Sequence, residues 1–90
     1  MAITREDLIF AKRIKDLRKK FGYTQTTFSQ IVGIDQSDLS KLERGQRQGN
    51  FHIAFIAARL FETSVDYLLG LTDEITPYPE STEDPLAAEE

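Results

Sequence analysis

Cysteine is absent from the chain and histidine occurs once, at His52. Disulfides, thiolate metal sites and cysteine nucleophiles are thereby excluded, and one imidazole cannot supply the clustered ligands of a zinc centre. There is no glycine-rich phosphate loop, and no serine stands at nucleophile-motif spacing from the histidine, so the sequence argues against an enzyme and implies no cofactor and no metal. Long apolar runs are missing as well: none approaches the ~20 residues that a membrane helix needs. The first residues are charged where a secretory signal would be apolar, which reads as a cytoplasmic protein. Period-two alternation and Asn-Gly or Asp-Gly hairpin signals are lacking, so a sheet is not expected. The length, 90 residues, leaves room for one modest core.

Bases are missing from the last nineteen positions. Residues 1–71 hold all 11 Lys and Arg against eight acids, a net charge of +3, whereas residues 72–90 hold seven acids and no base. The overall charge of −4 conceals this division. A basic domain over 1–71 followed by an acidic, proline-containing tail suggests nucleic-acid contact or an interaction tail. Residues 72–90 are too polar to offset ordering entropy by burial and read as an extended segment.

Within the basic part the apolar spacing is helical. Phe10, Ile14, Leu17 and Phe21 fall within about 60° of one helix face, Thr4 and Asp7 form a capping-box pair, and Gly22 closes a helix expected over about 5–21. Leu8 and Ile9 lie off that stripe. Thr24 opens a second helix with Phe28, Ile31 and Val32 and a stop at Gly33; Asp35 opens a third, with Asp38 at N3 and Gly45 at its end. Asn50 can cap a fourth, whose Phe51, Ala54, Phe55, Ala58 and Phe61 are expected to form a buried stripe, and Ser64 a fifth that carries Val65, Leu68 and Leu69 to Gly70. His52 reads as a surface residue. An all-α, compact five-helix domain follows.

Residues 25–45 carry the functional signal. Two short helices joined at Gly33-Ile34-Asp35 fit a helix-turn-helix, with glycine at the positive-φ position and Ile34, Leu39 and Leu42 turned inward. At 100° per residue, Gln36, Ser37, Ser40, Lys41 and Arg44 span an arc of about 140° that contains no acid, since Asp38 and Glu43 fall outside it. Such a face suits a phosphate-lined groove. Gln can pair bidentately with adenine, and Lys can donate to guanine.

Arg13-Ile14 through Leu17-Arg18, Gly22-Tyr23-Thr24-Gln25, the spacing of Gly33, Ile34, Leu39 and Leu42, then Leu42-Glu43-Arg44-Gly45 and Ser64-Val65-Asp66-Tyr67-Leu68-Leu69-Gly70 together resemble the lambda-repressor-like, XRE-type helix-turn-helix family of bacterial and phage transcription regulators. The resemblance covers about residues 10–71. It implies that Gln25 bonds a phosphate and buttresses Gln36, that Gln36, Ser37, Ser40 and Lys41 read bases, and that Arg44, Arg47 and the loop to Asn50 contact the DNA backbone. For Arg18 it implies an ion pair with Glu43, the alternative being a phosphate contact. Four positions depart from the family pattern: Ser29 replaces an alanine, Gly49 stands where a loop proline is frequent, and Glu62-Thr63 replaces a glycine and an apolar residue.

Leu8, Ile9, Tyr67 and Leu71 are not plainly consumed by the core and are candidates for a homodimer contact, which would set two recognition helices ~34 Å apart on a near-palindromic operator. The expected function is a sequence-specific, double-stranded DNA-binding regulator, taken to be a repressor. The competing account is a protein-interaction adaptor, or antitoxin-like partner, that binds through the acidic tail. The same tail could compete with phosphate for the basic surface.

Overall fold

A computed structural model describes residues 2–77, and among these there is no strand. Five helices form the domain: α1 (Arg5–Lys20), α2 (Gln25–Val32), α3 (Gln36–Glu43), α4 (Phe51–Leu60) and α5 (Val65–Leu69). Local chemistry sets their ends. Thr4 Oγ1 accepts from the Asp7 amide at 3.1 Å while the Thr4 amide donates to Asp7 Oδ2 at 2.9 Å, completing the capping box of α1. Thr24, Asn50 and Ser64 cap α2, α4 and α5 in the same way through their side-chain oxygens. Asp35 takes the extended N-cap conformation of α3, but its side chain makes no capping bond. Gly33, φ 77°, ends α2 in the left-handed region and turns the chain into α3.

α1 packs on α3 and α5, α2 on α3 and α4, and α4 on α5. Between them lie Phe10, Ile14, Leu17, Phe28, Val32, Leu39, Leu42, Ile53 and Leu68, all buried, with Phe61 in ring contact with both Phe28 and Phe21 at 5.2 Å. Phe21 sits at the C-cap of α1 and keeps one side in water, and Ile31 is likewise at the edge of its expected stripe.

The stripe expected on α4 is displaced. Ile53, Ala54, Ala57 and Ala58 are buried with Phe61, whereas Phe51 and Phe55 are 78% and 46% exposed and stack on each other at 6.2 Å. The buried set centres about 90° away from Phe51 around the helix. The alanines let α4 approach α2 and α5 closely, and two phenylalanine rings on that face would hold the helices apart.

The two unusual residues after α4 have definite tasks. Glu62 adopts φ 53°, the left-handed conformation for which glycine is the easier residue. Thr63 is buried, and its hydroxyl donates to the Ile75 carbonyl. Ile75 packs against the core, and Arg13 donates to the Tyr67 and Thr72 carbonyls and to Asp73 Oδ1, so residues 72–75 lie against the domain. Ser29 is buried, and its hydroxyl donates to the Thr26 carbonyl at 2.7 Å, three residues back. The acidic remainder of the expected tail, from residue 78 on, lies outside the described residues.

Candidate DNA interface

A chain of side chains runs from the interior to the surface of α3. Arg18 Nε and Nη2 donate to the two oxygens of Glu43 at 2.7 and 2.9 Å, and Arg18 Nη1 donates to the Tyr23 carbonyl at 2.8 Å. Both residues are 7% exposed, so the ion-pair alternative for Arg18 is the one realised. Gln25 Nε2 donates to Glu43 Oε1 at 3.0 Å, and Gln36 Nε2 donates to Gln25 Oε1 at 2.9 Å.

This order fixes the polarity of each amide. A carboxylate held by arginine only accepts, so Gln25 must turn its NH2 to Glu43 and its oxygen outward. Gln36 must then offer one N–H to Gln25, which leaves its second N–H and its oxygen for a ligand. One donor and one acceptor side by side are what the N7 and N6 edge of adenine requires.

Gln36, Ser37, Lys41 and Arg44 are exposed, and Ser40 is half-buried beside them. Asp38 lies off this face and 3.3 Å from Arg47 Nη1, an ion pair without hydrogen-bond alignment. The half-buried Arg47 is thus partly engaged within the protein. Asn50 is exposed, with Oδ1 accepting from the Ile53 amide at 2.9 Å, so its NH2 is the group turned to other uses.

The loop that carries Arg47 and Asn50 is held by residues that sequence reasoning missed. Gln48 Nε2 donates to Asp7 Oδ2 at 3.1 Å and to the Ala2 carbonyl at 3.3 Å, tying the loop to the start of α1. The Thr4 amide holds the Asp7 carboxyl below its ordinary range, helped by the Gln48 and Thr4 side chains. A side chain at Gly49 would run into the ring of Phe10, which explains a glycine where proline is frequent. A separation of 41 residues between Asp7 and Gln48 leaves no local sequence signal for the contact.

The four dimer candidates fare differently. The Tyr67 ring lies under Arg13 at 4.1 Å, and Ile9 packs against Gly70, where a Cβ would come within 2.8 Å of its Cδ1. Leu8 lies over Gly45 yet stays 53% exposed, and Leu71 is 72% exposed. Phe51, Ala54, Val65 and Leu69 line an open apolar cleft of about 300 Å³ between α4 and α5. Among the described residues no three His, Cys, Asp or Glu cluster as metal ligands, and no helix is long and apolar enough to cross a membrane.

The fold and the Gln25–Gln36 pairing define a helix-turn-helix domain, and the helix-turn-helix family profile matches residues 14–68. The chain belongs to this family, in its XRE-type branch of DNA-binding transcription regulators. It is 33% identical over 69 residues to YobD, an uncharacterized HTH-type transcriptional regulator of Bacillus subtilis, covering 77% of this chain and 62% of YobD. It is 37% identical over 65 residues to the HTH-type transcriptional regulator ImmR of the same organism, covering 72% of this chain and 50% of ImmR. It thus spans between half and two thirds of these relatives' length. Among solved structures it resembles the P22 c2 repressor in complex with synthetic operator 9T, with a TM-score of 0.61, 28% identity and coverage of 67% of this chain and 91% of the repressor chain.

Proposed function

We propose that the chain is a sequence-specific reader of double-stranded DNA that represses transcription by occupying its operator. Gln36, Ser37, Ser40 and Lys41 read base edges in the major groove, and Arg44, Arg47 and Asn50 bind the phosphate backbone together with Gln25, which donates the N–H of its amide not used by Glu43. The observation that carries this reading is the Gln36–Gln25–Glu43–Arg18 chain, which orients one exposed amide on a face without acids. The P22 c2 repressor, similar in fold and structurally described on an operator, supports the same use of the fold. The protein acts in the cytoplasm and is not an enzyme.

It acts as a homodimer. Leu71, Leu8 and the cleft between α4 and α5 leave apolar surface for a second copy, and a single domain of this size buries too little DNA surface to be selective. The test is selection of bound duplexes from a random library by the full chain at moderate salt. Enrichment of a two-fold symmetric site with half-sites about one helical turn apart is the expected result. A library that emerges unenriched would remove base reading and leave the adaptor account.

A further inference from the structure

A second basic surface lies beside the recognition helix. One stripe of α1, Lys12, Lys15 and Lys19, faces Arg44 at the end of α3 across a groove of about 370 Å³. Two acids border it, and both are engaged: Asp16 pairs with Lys12 at 2.9 Å, and Glu43 is held by Arg18 and Gln25. Among the described residues Lys15, Lys19 and Arg44 remain as a cationic cluster without a paired acid.

The chain itself supplies a complement. Glu80, Glu83, Asp84, Glu89 and Glu90 follow Pro77 with no base among them. Arg13 and Thr63 pin residues 72–75 so that Ile75 and Thr76 line a hollow with Lys20 and Phe21, at the C-terminal end of α1. Residue 76 thus lies beside Lys20, at the same end of α1 as Lys19. From Lys19 to Lys12 the helix rises about 10 Å. The thirteen residues after Pro77 can span about 40 Å, so the reach is ample. Tethering also raises the local concentration of the acids to the order of millimolar, which favours solvated ion pairs too weak to hold a separate peptide.

We propose that the acidic segment 78–90 seats in the groove formed by Lys15, Lys19 and Arg44. There it occupies cations next to the recognition helix. Through Arg44 it competes with DNA phosphate and so lowers binding to random sequence, a consequence that rests on the DNA-binding reading above.

The test uses the full chain with the five acids neutralised (E80Q, E83Q, D84N, E89Q and E90Q). Without DNA, backbone amide NMR shifts of Lys15, Lys19 and Arg44 should differ between this variant and the parent at low salt and converge at high salt. Shifts there that do not change would overturn the seating, whatever the protein does with DNA. With DNA, neutralisation should tighten binding to a random duplex about threefold or more at low salt. In a K15Q/K19Q background the gain should shrink towards one. A gain of the same size in both backgrounds would show that the acids act through bulk charge, and the groove assignment would fail.

Discussion

The ring of Phe10 fills the space that a side chain at residue 49 would need. Gly49→Ala should therefore push either the ring or the loop and cost about 1–3 kcal/mol. Urea unfolding reads the stability, and a random-duplex titration reads the loop that carries Arg47 and Asn50. An unchanged midpoint would mean that the loop yields freely, and that the contact does not dictate the glycine.

Arg18 and Glu43 are worth more as a pair than apart. Arg18→Met leaves a buried carboxylate without its cation and should destabilise by about 3–5 kcal/mol. The double variant R18M/E43L should recover most of that loss yet still bind its operator poorly, because Gln25 has lost the carboxylate that orients it. Full operator affinity in the double variant would show that Gln36 needs no buttress.

Coupling between Gln25 and Gln36 can be measured directly. Gln36→Ala should cost about 1–3 kcal/mol of specific affinity. In a double-mutant cycle with Gln25→Ala the coupling should reach about 0.5 kcal/mol or more. Strict additivity would place the two amides in separate roles.

Glu62 holds a backbone conformation that a side chain resists. Replacing it with glycine should raise stability by about 0.5–1 kcal/mol, provided that Thr63 keeps its bond to Ile75. Thermal unfolding of Glu62→Gly checks this, and a drop in stability would contradict it.

Asp7 gives the pH dependence its sign. Its folded pKa lies below the ordinary value, so its contribution is complete above the unfolded pKa of about 3.9 and is lost as pH falls through the lower folded value. Amide exchange at the start of α1 should accelerate across that acid window. Asp7→Asn should flatten the profile there; a profile unaltered by the substitution would assign the acid response to another carboxylate.

Most of the fold was legible because caps and glycines mark it: Thr4 with Asp7, Thr24, Gly33, Asn50, Ser64 and Gly70 lie where the chain turns. α4 was legible as a helix but not in phase. All its residues except His52 and Arg59 are apolar, so periodicity cannot choose which side faces inward, and packing against α2 and α5 decides it. The pairing of Gln25 with Gln36 was implied by family spacing, and that of Arg18 with Glu43 likewise. What the sequence could not show is the work done by Gln48, Ile75 and Arg13. Each acts across more than ten residues through a contact that only the folded chain brings together.

The buttress divides the recognition helix into two kinds of position. Ser37 and Lys41 reach outward with no side-chain partner among the described residues, and can be exchanged as a target sequence drifts. Gln36 is wired through Gln25 to a buried ion pair, so altering it disturbs an arrangement that reaches the core. Divergence in operator choice among close relatives should therefore begin at 37 and 41, and a change at 36 should come with a compensating change at 25.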